Sequence, residues 1–255
     1  MHINDLKNKL EKEINRLQGQ VALSVKFLKS NEEININEKT QFWAASVIKV
    51  PIACEFFRQV ETGIISENSL IKITTENFVD GSGVLRFLNQ EAEYTLVDLV
   101  KLMLILSDNS ATNQVVDLIG WENVEKYMQN IGMLNSTFRH KMMIKAGRGP
   151  NLTTAEDLII LYQKLFNNEL VGTSKIIEIL KCQQDRRRIP LFLPNNIEIA
   201  HKTGSLEEAM HDTGIIYSQN PFIFVFLSDD QKDKRLTNDV LSSCTKLCFD
   251  YSINE

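Results

Sequence analysis

One run of the chain is almost wholly apolar. Residues 44–57 read Ala-Ala-Ser-Val-Ile-Lys-Val-Pro-Ile-Ala-Cys-Glu-Phe-Phe, interrupted near the start by one hydroxyl and one amine. Its length, and the glycine stop at Gly63, predict a buried helix rather than a strand. Upstream, Leu6, Leu10, Ile14 and Leu17 recur at helical spacing and predict an amphipathic helix within residues 1–20. Residues 21–28 alternate as a strand, 31–37 read as a polar turn region, and 41–45 as a second short strand that delivers the chain to Ser46.

Further along, Thr95 to Asp98 is a capping start for a helix over 96–106, too apolar all round to be anything but central. Helices over 110–119 and 122–132 follow, with Gly120 and Gly132 as their stops. Residues 138–152 hold Gly147, Gly149 and Pro150 and read as a loop, which a second capping signal at 153–156 ends before a helix over 158–165. The remainder turns β-rich: strands at 197–201, 213–217 and 221–227, then a last helix over 236–251. Strands at both ends with helices between predict one α/β part from residues 1–45 and 195–255 and a helical part from 46–194, packed as one compact catalytic unit.

On a helix Ser46 and Lys49 share a face, and a lysine kept from water is costly unless something uses it. The pair is therefore a candidate nucleophile and base. Alone the spacing is weak, because Ser69/Lys72 and Ser243/Lys246 match it too. Two once-only tripeptides change its weight: Ser107-Asp108-Asn109 after the central helix, and Lys202-Thr203-Gly204 ending a strand. Each has a chance expectation of about 0.1 or less in a chain of this size.

Roles follow from chemistry. Ser46 attacks a carbonyl carbon, and neutral Lys49 takes its proton. Burial and the cation of Lys202 both lower the Lys49 pKa. Ser107 passes a proton to a leaving nitrogen, and Asn109 orients Lys49 or bonds a substrate amide. Lys202 and Thr203 hold a substrate carboxylate, while the strand edge through Gly204 and Ser205 pairs with an extended substrate. No cofactor or metal is expected.

Ser-x-x-Lys, Ser-Asp-Asn and Lys-Thr-Gly in this order are the signature of class A β-lactamases and penicillin-binding proteins. With residues 79–85, 106–113 and 200–205, the chain resembles the class A β-lactamase-like serine hydrolases over most of its length. The resemblance implies an α/β plus all-α, β-lactamase-like fold: an antiparallel sheet flanked by terminal helices, with a helical insertion. It also implies Ser46 heading a central helix in the cleft, an oxyanion hole from the backbone amides of Ser46 and Ser205, and β-lactams or D-Ala-type peptides and esters as substrates.

One departure stands out. The family carries a glutamate, thought to activate the deacylating water, in a loop just before the threonine pair. Here residues 139–152 look shortened and hold no Asp or Glu, but instead Arg139, His140, Lys141, Lys145 and Arg148. This is a solvated basic loop or an attractor of anionic substrates. Deacylation is expected to be slow, and a binding or sensing protein that stays acylated is the alternative; the intact serines and lysines argue against a dead scaffold. His201, His211 and Asp212 are expected to be structural, Glu207 and Glu208 a solvated turn, and Trp43 and Trp121 core or rim packing.

Charge and composition narrow the partners. At 255 residues and net charge −5, with no block of one sign, nothing suggests nucleic acid or a membrane surface. Cys54, Cys182, Cys244 and Cys248 have no framework-like spacing, and neither an export signal nor an apolar membrane-spanning run is apparent. A reduced cytoplasmic monomer is the expectation, with an exported chain lacking its leader as the alternative.

Overall fold

The computed structural model describes residues 2–144 and 147–254. Helix α1 (Ile3–Ile14) is followed by β1 (Gln20–Phe27), β2 (Glu33–Ile36) and the two-residue β3 (Phe42–Trp43). A 3₁₀ turn, Ala45–Ile48, leads into α2 (Lys49–Glu61). After β4 (Leu70–Lys72) and β5 (Glu93–Thr95) come α3 (Leu96–Ile105), α4 (Asn109–Ile119) and α5 (Trp121–Asn130). Then β6 (Leu152–Thr153) precedes α6 (Ala155–Phe166), α7 (Thr173–Lys181), β7 (Ile199–Ser205), β8 (Met210–Ile216), β9 (Phe222–Asp229) and α8 (Lys234–Ser252).

Five strands form one antiparallel sheet in the order β2-β1-β9-β8-β7. Its middle strand, β9, is apolar on both faces over residues 222–227 because both faces are covered. Phe222, Phe224 and Phe226 of β9 join Leu6 and Leu10 of α1 and Val240, Leu241, Cys244 and Cys248 of α8 in one core. The alternate residues Ile223, Val225 and Leu227 join a second core with α2, α3, α4 and α6. The hydrophobic helix α2 lies inside that second core, with Val50, Ile52, Ala53, Cys54 and Phe56 wholly buried. An antiparallel sheet flanked by α1 and α8, with a helical part inserted between β3 and β7, is the expected architecture.

Several local expectations are corrected. Residues 33–36 form β2 rather than a turn; only four residues alternate there, and of the two isoleucines only Ile34 is fully buried. Ser46 sits in a 3₁₀ turn, not an α-helix. Pro51, the third residue of α2, has no N–H for the Val47 carbonyl, so the segment before it closes on tighter i→i+3 bonds. The first helix ends at Ile14, short of Leu17. Strands β5 and β6 and helix α7 answer to no predicted element.

Thr95 and Thr154 cap α3 and α6 as the signals required, accepting from Asp98 N and Asp157 N. Cys54, Cys244 and Cys248 are buried and all four cysteines are free. Trp43 is half-exposed at 51%, a rim residue. No described helix is long and apolar enough to cross a membrane.

Candidate active site

Three segments converge on one cleft. The first is the 3₁₀ turn, in which residues i and i+3 eclipse, so Ser46 and Lys49 keep a common face although the turn is not α-helical. Ala45, just before Ser46, has φ +43°, a left-handed conformation that costs a non-glycine residue about 1–3 kcal/mol. Ser46 is half-buried, whereas Lys49 is wholly buried.

The second segment is the corner between α3 and α4. Ser107 is also left-handed, at φ +57°. Asp108 caps α4 through Ala111 N (2.9 Å) and reaches across to Val84 N (2.6 Å) and Leu85 N (2.8 Å). That reach requires Gly83, since a Cβ there would stand 2.2 Å from Asp108 Cγ. Asn109 accepts from Lys49 Nζ at 2.8 Å and donates to the Asp80 carbonyl at 3.1 Å. Both ends of its amide are thus occupied, and of its two expected roles the contacts favour orienting Lys49.

The third segment is β7, the edge strand of the sheet. Gly204 brings it hard against the turn that carries Ser46: a Cβ there would meet Ala45 Cβ, Val47 Cγ1 and His211 Cδ2, each at 3.2 Å. Thr203 and Ser205 line the cleft with Ser46, Ser82 and Ser107 around about 410 Å³ of space.

The two lysines meet at Ser107. Lys49 Nζ donates to the Ser107 carbonyl at 2.7 Å and lies 3.3 Å from Ser107 Oγ; Lys202 Nζ donates to the same Oγ at 2.9 Å and to the Thr203 carbonyl at 2.9 Å. Two of the Lys49 contacts, Ser107 O and Asn109 Oδ1, only accept. A neutral amine satisfies both with its two hydrogens and keeps a lone pair for a proton.

Electrostatics favour that state. Burial pushes the Lys49 pKa well below that of an ordinary lysine and the charge of Lys202 pushes it further, with Asp108 opposing. Lys202 is itself lowered to about 7, chiefly by burial. Among the described residues no carboxylate bonds either ammonium.

Sequence reasoning missed Arg188. It is 6% exposed and donates to the carbonyls of Gly204 (2.7 Å) and His211 (2.5 Å) and to Ser205 Oγ (2.5 Å), bracing the end of β7. Its neighbour Asp185 is the carboxylate lining the cleft, held below the usual range by Arg187 and Arg188 although burial opposes this. The run Arg186-Arg187-Arg188 reads as solvated surface, and no local pattern marks which of the three turns inward.

The other sequence candidates lie apart from the chemistry. Glu207 and Glu208 are exposed on the β7–β8 turn and do not line the cleft. Asp212 bonds His201 Nδ1 and Ile189 N, and His211 bonds the Trp43 carbonyl, so these groups tie strands together. In the basic loop, Arg139 faces Glu125, Lys141 binds Asp117, and Arg148 stacks 4.6 Å over the Trp121 ring. These three cations serve the helical part rather than a substrate; Lys145 lies outside the described residues. The loop's backbone is gripped by Asn113 of α4, which accepts from Met142 N at 2.7 Å and donates to Met142 O at 3.1 Å. Asn113 is one helical turn from Asn109, so the loop residue presented to this face of α4 is the apolar Met142.

A serine placed beside two buried lysines that no described carboxylate bonds, between a sheet edge and a helical layer, defines a serine acyl-transfer hydrolase. The chain belongs to the Beta-lactamase enzyme family, whose description matches residues 5–252. It is 22% identical to β-lactamase VEB-1 of Pseudomonas aeruginosa, over 99% of this chain and 92% of that one. The BRO-1 β-lactamase of Moraxella catarrhalis is 22% identical over 91% and 79%. Among solved structures, the β-lactamase of Sphaerobacter thermophilus superposes with TM-score 0.91 at 25% identity, over 99% of this chain and 98% of that one. PBP-A, a mutant of which was solved as its acyl-enzyme complex with penicillin G, superposes with TM-score 0.89 at 22% identity, over 97% and 96%.

Proposed function

We propose that Ser46 is acylated by β-lactams or D-Ala-type peptides and esters, and that the acyl-enzyme hydrolyses slowly. Lys49 is the acylation base, Ser107 hands the proton to the leaving nitrogen, and Lys202 with Thr203 holds the substrate carboxylate. The amides of Ser46 and Ser205 receive the oxyanion, Gly204 and Ser205 present the strand edge, and Asn109 fixes Lys49. The observation that carries this reading is the convergence of two buried amines on Ser107 Oγ with no acid among the described residues attached to either.

The same observation supports slow turnover. Hydrolysis of an ester needs a base for water, and such help is worth about 10²–10⁴-fold in rate. Met142 offers none, and Asp185 is engaged with arginines. Stopped-flow hydrolysis of a chromogenic cephalosporin, read beside the mass of quenched enzyme, should show a burst of about one equivalent per enzyme and a persistent adduct on Ser46. Rapid multiple turnover without adduct sinks the slow step, and undiminished labelling of Ser46→Ala sinks the assignment. An adduct that outlasts hours would favour the alternative, a sensor of cell-wall peptides or β-lactams that stays acylated.

A further inference from the structure

The reactive cleft does not end at Arg188. A second hollow of about 460 Å³ opens on its far side, lined by Arg187, Arg188 and Ser205 together with Ala209, Met210, Lys234, Arg235, Asn238 and Asp239. Arg187, Arg188 and Ser205 line both spaces, so they form the sill between them. Four cations and one carboxylate, Asp239, face this hollow in a protein whose net charge is −5.

The cations are unequally engaged. Arg187 and Arg188 lean on Asp185, and Lys234 Nζ reaches only the Leu206 carbonyl, at 3.2 Å. The Arg235 side chain makes no hydrogen bond or ion pair among the described residues. Both Lys234 and Arg235 stand in the first turn of α8, directly after its N-cap Asp233, whose carboxylate accepts from Arg235 N and Leu236 N at 3.0 Å each. Positive charge at a helix start opposes the macrodipole and typically costs about 0.3–1 kcal/mol per group. The start of α8 gains nothing from these two charges, which add to the positive field of the hollow they line.

We propose that this hollow is a second anion subsite of the reactive cleft. It takes a carboxylate carried by an acyl donor beyond the one that Lys202 and Thr203 hold, with Lys234 and Arg235 as the specificity-determining contacts. The proposal rests on the acyl-transfer reading of Ser46. Arg188 donates to Ser205 Oγ at the sill the two spaces share, so the hollow adjoins the cleft that holds Ser46.

The test uses two cephalosporins that differ only in the substituent at ring position 3, one ending in a carboxylate and the other in its carboxamide. Acylation rate constants come from stopped-flow and intact mass. In wild type the carboxylate probe should be preferred, and the preference should shrink as salt is raised. The double variant Lys234→Gln/Arg235→Gln should lower the ratio of the two rate constants about fivefold, the size expected of screened surface charge pairs, and Arg235→Glu should invert it. Both substitutions relieve charge at a helix start, so the variants should fold. A wild-type ratio near one, or equal losses for both probes in the variants, overturns the subsite while leaving Ser46 chemistry intact. Failure of both probes to acylate wild type removes the acyl-transfer reading itself, and the subsite with it.

Discussion

At Ser107 two amines share one hydroxyl, and under the proposed roles of base and anion holder their titrations should bound the activity. Lys49 must be neutral to accept a proton, so its limb of kcat/KM rises with pH and lies well below the ordinary lysine range. Lys202 must be charged to hold a carboxylate, so in the free enzyme its limb falls as pH passes about 7. Lys202→Arg should lower the rate at neutral pH yet carry the alkaline limb away, because a guanidinium stays charged; a limb unmoved in that variant assigns it elsewhere. Stability obeys the same shift. Between about pH 7 and the unfolded lysine value near 10.4, the unfolded chain binds a proton that folded Lys202 does not, so stability rises with pH. Urea midpoints should climb from pH 7 to about 8.5, below which few unfolded thiols ionise, and the slope should flatten in Lys202→Met. The serines and lysines of this site were legible because their chemistry imposes a spacing on the chain. Arg188 was not, because its role arises only where the backbone folds one of three consecutive arginines inward.

At the scale of elements, the cleft depends on how closely β7 approaches the 3₁₀ turn. Gly204→Ala adds a methyl against three neighbours at 3.2 Å and should push the strand outward by a few tenths of an ångström. The fold should survive while acylation slows about tenfold, in line with the sensitivity of reacting geometry to small displacements; equal loss of thermal stability and rate would point to general damage instead. The clamped loop invites the opposite change. Met142→Glu places a carboxylate on the backbone that Asn113 fixes, and single-turnover mass kinetics should show faster loss of the acyl group with little change in its formation. Burial of Met142 to 8% exposure makes some loss of stability the expected companion. Long apolar or capped elements, α2, α3 and α6, were legible from periodicity and caps. Short ones were not: β2 alternates over only four residues, and α7 carries Ile176, Ile177 and Ile179, β-branched residues that blur a nine-residue helix.

Over the whole molecule, the two-part architecture was readable because strands cluster at both ends of the sequence and helices between them. Their order in the sheet was not, since nothing local states that β1 lies between β2 and β9. That neighbour relation governs how the protein is made. The first strand lies flat against a partner reached only after the helical segment has been synthesised; even the bond from Lys29 N to Asn220 Oδ1 spans 191 residues. Contacts of such sequence separation close late and fold slowly. On the ribosome β1 and α1 should remain unsheltered until β9 and α8 have left the exit tunnel, while α3, α4 and α5 can already collapse on one another. Pulse proteolysis of arrested nascent chains of increasing length checks this. Protection of the N-terminal residues should appear in one step, after α8 emerges, and earlier protection would mean that β1 and β2 shelter each other without the rest of the sheet.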